Sequence, residues 1–433
     1  MKDALTAGMP PLHISHWQAW SLWLAILLFP FFAAGAQGGA SYPFAWLVLI
    51  GLIFGWKFLP QLTKAEKQLF IGFAIFFIVI AISVAFGSDL KEDLRRLDRY
   101  SAMLWAFPAY LAIRRYVKQP GRPFIAGLLL APIGALLFGL DWDITQIAAT
   151  MMLQHRLEGF YATIILSNIA AILTILLLAS SVIFFRHPAA LLVGILMVMM
   201  GIIVVTATAS RTGMLFIPIG IGASLILLHK YLSRQHIAAL SIGLTLVIVL
   251  LAINPQNTAT QRVHSAIETL FSHSDRDAST TLRFDMWKDS LLLWKQYPVI
   301  GVGPGSYHSA VQSLQASGET QSTHEFTHAH SIYFQALATL GTAGLLAMLW
   351  FAFAQPFTLG LRAWRHTLNP WQTFYASGIM LTVLAFMVFG LTEAWFSRNP
   401  MLRSYLICLI VLFAGLIETT QNSRTPVARG DTE

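Results

Sequence analysis

Residues 161–207 read YATIILSNIAAILTILLLASSVIFFRHPAALLVGILMVMMGIIVVTA. Two apolar runs, 161–185 and 188–207, are separated only by Arg186 and His187. A helix that crosses a membrane needs roughly 20 mostly apolar residues, so this stretch reads as a helical hairpin through a bilayer. Working outward, the 433-residue chain holds ten more such runs, at about 17–35, 43–60, 69–87, 101–114, 123–140, 212–229, 236–253, 331–355, 372–395 and 403–418. The composition agrees, with 56% hydrophobic residues, 11% charged and a mean hydropathy of +0.64. A soluble domain carries about 25% charged residues, so a cytosolic enzyme, a disordered chain and a nucleic-acid binder are excluded. The expected fold is an all-α polytopic membrane protein of about twelve transmembrane helices, of which 101–114 is the short one. The first run starts late, is long and has no clear small-x-small site, so it is not a cleavable signal peptide. The single cysteine, Cys408, lies in an apolar run and allows no intramolecular disulfide.

The connections alternate in charge. Loops at 57–68, 114–122, 186–187, 230–236 and 356–371, taken with both termini, hold 15 basic and 5 acidic residues, a net +10. The opposite side holds 13 basic and 15 acidic residues, a net −2. Basic loops stay in the cytoplasm, so both termini are expected there, and the overall +8 reports orientation rather than an anionic partner. The expected division is residues 1–253 as spans one to nine, 254–330 as one large periplasmic loop, 331–418 as spans ten to twelve and 419–433 as a cytoplasmic tail. A loop longer than about 12–15 residues usually has structure or function of its own. In 283–296, Phe284, Trp287, Leu291 and Trp294 recur at helical spacing with Asp285, Lys288 and Asp289 on another face, which predicts an amphipathic helix on the membrane surface. Residues 260–271 give a weaker second one, and 312–327, rich in Gln, Ser, Thr and Gly, is expected to be mobile.

Ionisable groups at or near membrane depth are functional candidates by default. Arg211, in Ser210-Arg211-Thr212-Gly213, sits in a very short connection between two spans; it is a ligand-binding arginine or one that snorkels at a helix end. Arg283 opens the amphipathic helix and could meet a lipid phosphate, anchor at the interface, or pair with Asp285 or Asp289. His324, His328 and His330 form a cluster, with His330 expected in the first turn of the tenth span. A helix N-terminus disfavours imidazolium, which suits a general base near pH 7; a capping histidine and a His-x-His metal site are the alternatives. Gly301, Gly303 and Gly305 allow close backbone approach to a ligand or make an ordinary tight turn. Arg156 with Glu158 is a substrate contact or an interfacial ion pair. Asp141-Trp142-Asp143 is a weak D-x-D metal pattern. The run 89–99, balanced four against four, is most simply a solvated helix face with i,i+3 and i,i+4 pairs.

Several arginines and a neutral histidine outside the cytoplasm suggest one chemistry. Guanidinium forks match phosphate oxygens and keep their charge. A phosphorylated substrate on that side is plausibly a lipid-linked diphosphate. In displacement at an anomeric carbon, fixed cations stabilise the departing diphosphate without a metal, and a histidine base activates the incoming hydroxyl. One such step inverts the anomeric centre.

The sequence resembles the O-antigen ligase family, within the ligase/polymerase superfamily of Gram-negative inner membranes. The motifs that carry the resemblance are His330-Ser331, nine residues, then Gly341; Ser-Arg-Thr-Gly around Arg211; Arg283 before Trp287; and Pro298–Gly305. The resemblance implies transfer of O-antigen from undecaprenyl diphosphate to a sugar hydroxyl of lipid A–core oligosaccharide, metal-independent and without cofactor. It also implies His330 as general base and Arg211 and Arg283 on the diphosphate, with Arg156 a weaker match. His328, two residues earlier, competes as base. Rival readings are an O-antigen polymerase, a protein O-oligosaccharyltransferase and a lipid-linked glycan transporter. The short tail after the last span argues against the second. Span interiors almost free of charge argue against the third.

Overall fold

A computed structural model describes residues 16–424, apart from 154, 155, 159, 161, 239–240, 243–244, 246–248, 250–259, 262–277, 324 and 368. Helices α1 to α6 span His16–Ala33, Ser41–Phe54, Lys64–Val84, Leu90–Tyr100, Ala102–Tyr116 and Gly121–Gly139. After the short α7 (Ile147–Met151) come α8 (Thr163–Phe184), α9 (Pro188–Ala207) and α10 (Arg211–Leu227). Helices α11 (Ala278–Gln296) and α12 (Tyr307–Ala316) precede α13 (Ile332–Ala347), which continues through a π-helical stretch into α14 (Gln355–Arg365). Helices α15 (Pro370–Phe389) and α16 (Asn399–Arg424) close the chain. No strand occurs among the described residues.

Eight helical stretches among the described residues are long and apolar enough to cross a membrane, and α1 and α10 are shorter apolar helices. The twelvefold expectation therefore holds only in part. Helix α5 has 15 residues and ends in Arg114-Arg115-Tyr116. The ninth run, 236–253, falls largely outside the described residues. The run 372–395 stops being a helix at Phe389; residues 390–398 turn back instead. Helices α8, α15 and α16 form the centre, each about nine-tenths buried over its apolar window, whereas the α2 stretch is only 28% buried and stays peripheral. At one end of the bundle Glu66 is sealed in by a capping box with Thr63, by Tyr110 Oη (2.6 Å) and by Arg114 Nε (2.9 Å). The other end carries the site.

Helix α13 is broken at Gly341, whose φ of +65° leaves the helical region. The break frees two carbonyls and two N–H groups, and the segment 298–303 takes all four. Val302 and Gly303 donate to Ala338 and Thr339 (3.1 and 3.0 Å), while Thr342 and Ala343 donate to Pro298 and Val299 (2.9 and 3.1 Å). A Cβ on Gly341 would lie 2.3 Å from the Val299 carbonyl, and one on Gly301 2.3 Å from the Thr339 carbonyl carbon. Backbone lies directly on backbone here, which is why the motif needs glycine after the nine residues that follow Ser331.

Helix α11 forms where the spacing predicts it, but its surroundings differ. Trp287 stacks on Phe334 (4.9 Å, 11°), Trp294 Nε1 donates to Thr342 Oγ1 (2.9 Å), and Met286 and Leu293 are buried. Asp289, expected on the outer face, is buried and accepts from Thr320 Oγ1 (2.5 Å). The helix is thus docked on α13 as well as amphipathic. The segment 312–327 is also held: 312–316 is helical, and Gln315 Nε2 donates to Ser322 O (2.9 Å). The second amphipathic stretch, 260–271, lies mostly outside the described residues, as does His324.

Candidate active site

Three segments meet at the site end. The first is 328–331, just before α13. His330 is not in the first turn as expected. Ser331 is the N-cap, and His330 stands before it with φ +47°, a strained conformation for a residue with a side chain. Its neighbour Ala329 is held at both backbone groups: its N–H donates to Gln335 Oε1 (2.8 Å), and its carbonyl accepts from Trp287 Nε1 (3.1 Å). The side chains of His328 and His330 therefore leave a fixed backbone, with ring centroids 4.1 Å apart.

The second segment is the turn 390–398, which brings a carboxylate that the sequence reading missed. Glu393 is 1% exposed; its Oε2 lies 3.6 Å from His330 Nδ1, its Oε1 4.0 Å from His328 Nε2 and 3.1 Å from Arg398 Nε. Ile332 N–H donates to Gly390 O (2.9 Å) and Trp395 Nε1 to Phe386 O (2.8 Å), which pins the turn against α13 and α15. Burial alone would raise the Glu393 carboxyl, but the His330 ring, Arg398 and His328 outweigh it and hold the group below its ordinary range. Burial first, then the neighbouring His330 ring, pushes His328 down to about 4, so it is neutral near pH 7.

The third segment is the α9–α10 connection. Ala209 takes φ +53°, Ser210 caps α10, and Arg211 is its first residue. The Thr212 and Thr392 hydroxyls hydrogen-bond each other, so the helix that begins with Arg211 is tied to the residue next to Glu393. Arg156 joins from the other side: its Nε donates to Thr208 O (3.3 Å), Leu157 N–H donates to Ala207 O (3.1 Å), and Nη1 lies 3.6 Å from Glu158. Arg283 lies one turn before Trp287 on α11, on the face that meets Ala329. His328 and His330 thus stand together beside Glu393, the helix that starts with Arg211 is tied to the same turn through Thr212, Arg156 is bonded to the α9–α10 connection, and Arg283 is on the helix that holds Ala329.

Gly303 and Gly305 approach protein. Cβ atoms there would meet Asp93 Oδ1 at 2.7 Å and the Glu92 carbonyl carbon at 2.3 Å. Asp93 is fully buried and accepts from Gly305 N–H (2.6 Å) and Ser306 Oγ (2.7 Å). The 89–99 stretch carries the expected i,i+3 and i,i+4 pairs, Glu92 with Arg95 and Arg96 at 3.3 Å, but only Arg95 is well exposed; the Arg96 side chain is 13% exposed and Asp93 is buried. In the D-x-D pattern, Asp143 accepts from Thr145 N–H (3.1 Å) and ends a turn. The ligand atoms of His328, His330 and Glu393 lie within 4.8 Å of one another, a set that can hold a metal ion. Beside the first turn of α10, Ser167 and Asn168 are buried with side-chain polar atoms that find no hydrogen-bond partner, as are Nε2 of His328 and Nδ1 of His330. Such atoms mark places for water or a ligand. A carboxylate at the end of an apolar run was the signal available for Glu393.

Residues 195–349 match a protein family described as O-antigen ligase. That span contains Arg211, Arg283, Gly303, Gly305, His328, His330 and Gly341; Arg156, Glu393 and Arg398 lie outside it. The chain is also 24% identical, over 333 residues, to an uncharacterized protein of Haemophilus influenzae (strain ATCC 51907 / DSM 11121 / KW20 / Rd). That alignment covers 71% of this chain and 77% of the relative.

Proposed function

We propose, from the match of residues 195–349 to the O-antigen ligase family, that the chain moves a glycan from undecaprenyl diphosphate to a sugar hydroxyl of lipid A–core oligosaccharide. In this reading the site end of the bundle faces the periplasm of a Gram-negative inner membrane, 254–330 is the large loop on that face, and both termini are cytoplasmic. With its Nδ1 turned to Glu393, His330 presents Nε2 to the acceptor. It takes the hydroxyl proton while the oxygen attacks the anomeric carbon, and the bond from that carbon to the diphosphate oxygen breaks. The charge that appears on the diphosphate is met by Arg211 and Arg283, with Arg156 beside them and the N-terminus of α10 adding its partial positive charge. The anomeric centre inverts. His328 is the more buried of the two, 14% against 31% exposed, which leaves His330 the more open to an acceptor and favours it as base. The observation that carries the reading is the buried Glu393 carboxylate 3.6 Å from His330, on a turn bonded to the helix that starts with Arg211.

One observation favours a second reading, in which an ion on His328, His330 and Glu393 activates the hydroxyl. Arg398, already 3.1 Å from that carboxylate, argues against it. The test uses purified protein, undecaprenyl-diphosphate-linked glycan and three acceptors: lipid A–core, a second donor molecule and a peptide. Transfer to lipid A–core alone, its loss in His330→Ala with donor binding retained, and its survival in EDTA are expected. Transfer only to the second donor makes the chain a polymerase; activity lost in EDTA and restored by a divalent ion installs the metal reading.

A further inference from the structure

The turn 390–398 touches the helix of Arg211 at Thr392 and a second cationic place at its other end. Arg99 Nη1 donates to Ser397 O (2.9 Å), next to Arg398. Arg99 stands at the mouth of a cleft of about 530 Å³ between α2, α5 and the start of α16, within the roughly 300–1,000 Å³ of ordinary ligand pockets. Val48, Leu49 and Leu52 form its apolar wall, and Ser41, Asp98 and Arg403 share the mouth with Arg99. Arg403 Nη1 donates to the Ser41 hydroxyl. Arg99 thus spends a donor on a neutral carbonyl oxygen, and a guanidinium has five. Asp98 is the one acid lining the cleft, so its mouth carries a net positive charge. Burial first, then the nearby Arg96 and Arg95, push the Arg99 guanidinium below its ordinary range. A larger cleft of about 700 Å³ between α1, α2 and α6 offers a contrast. It is lined by no charged residue and fits a hydrocarbon chain without a head group.

We propose that the α2–α5–α16 cleft holds the acceptor by its lipid anchor, with acyl chain along Val48, Leu49 and Leu52 and anionic phosphate on Arg99 and Arg403. The proposal rests on the transfer reading above. The two lipid-borne substrates then approach one turn from its two ends: the donor diphosphate by Thr392 and Arg211, the acceptor anchor by Ser397 and Arg99. His330 lies between, across Glu393 and Arg398. Both substrates are confined to the membrane, and this arrangement gives each its own groove.

The test uses the full chain in phosphatidylcholine nanodiscs. The binding probes are lipid A bisphosphate and its fully dephosphorylated form; the kinetic readout is KM for acceptor and for donor. A single charge-assisted contact is worth about tenfold in affinity. The double variant Arg99→Gln/Arg403→Gln should weaken the bisphosphate at least that much and leave the dephosphorylated lipid unchanged. It should raise KM for acceptor and not for donor. Leu49→Trp, on a membrane-exposed position with the arginines intact, should narrow the cleft and weaken both lipids. Thermal unfolding checks that each variant is folded. Equal binding of the two probes to the wild type, competition by phosphatidylglycerol as effective as by the bisphosphate, or a rise in donor KM instead of acceptor KM each overturns the proposal. The expected binding pattern without transfer to any acceptor overturns the transfer reading and leaves an anionic-lipid site.

Discussion

Replacing Glu393 with glutamine keeps the shape of the side chain and removes its charge. One of its oxygens lies 3.6 Å from His330 Nδ1 and the other 3.1 Å from Arg398 Nε. In the proposed transfer His330 takes the acceptor proton and becomes a cation beside this carboxylate. At 3.6 Å and an effective dielectric near 20, such a pair is worth about 4–5 kcal/mol. An amide oxygen facing Nδ1 keeps part of that, so the net loss of transition-state stabilisation is about 2–4 kcal/mol, or roughly 30- to 1,000-fold in kcat. The folding cost is smaller. Arg398 is 39% exposed and can turn to water once its partner is neutral, so about 1–2 kcal/mol is expected rather than the cost of a stranded buried charge. Initial rates at saturating donor and acceptor, with thermal unfolding on the same preparations, separate the two effects. A kcat within about threefold of wild type, in a background where His330→Ala is inactive, would refute the role of Glu393 in orienting and stabilising the base. A raised KM with unchanged kcat would move it to substrate binding.

Two further outcomes follow from the same neighbourhood. His328 is held near 4 in the fold against about 6.5 unfolded. Between those values the unfolded chain binds more protons, so stability falls as pH drops from 6.5 to 4, by at most about 3 kcal/mol. Thermal unfolding from pH 7 to 4.5 should show this slope in the wild type and a flatter one in His328→Asn; an unchanged slope removes His328 as its source. The lowered Glu393 acts in a lower window, its contribution full above about 4.3 and lost as pH falls below that. Gly341→Ala places a Cβ 2.3 Å from the Val299 carbonyl at φ +65°, so a destabilisation of about 2–4 kcal/mol is expected. A wild-type melting temperature would show that the 298–303 segment does not rest on the α13 break.

Hydropathy made the helical class and most spans legible, because burial in lipid acts on long windows. It could not place span ends. The run 372–395 keeps its apolar character past Phe389 through Leu391, Ala394, Trp395 and Phe396, yet Gly390 ends the helix and its carbonyl takes the Ile332 N–H. That hid Glu393 inside a supposed span. Arg211 stood out as a lone charge between two apolar runs, Arg283 as the basic residue that opens an amphipathic helix, and His330 as part of a histidine cluster before a span. How their segments are tied together was not legible, because it depends on pairs more than 40 residues apart, Trp287 with Ala329 and Thr212 with Thr392. The faces of α11 were misassigned for a related reason. Helical spacing separates Asp289 from Trp287 but cannot foresee that Thr320 would return to meet the carboxylate.

The near-neutral balance of the site side conceals a local division of labour. Its acids are bound to the scaffold: Glu92 pairs with Arg95 and Arg96, Asp93 holds Gly305 and Ser306, Asp143 ends a turn, and Asp289 takes Thr320. Asp93 and Asp289 tie separate segments together, whereas the Glu92 and Asp143 contacts are local. Glu393 is the acid aimed at histidines, and Arg398 keeps it ionised in a buried place. A site meant for an anionic leaving group has reason to be built this way. In the proposed transfer a carboxylate that faces an arginine competes with phosphate for the same fork, as Glu158 does on Arg156, whereas the carboxylate behind His330 stabilises the cation formed when that ring takes the proton. The charge count of this face therefore says little about its chemistry; what each acid is bonded to says more.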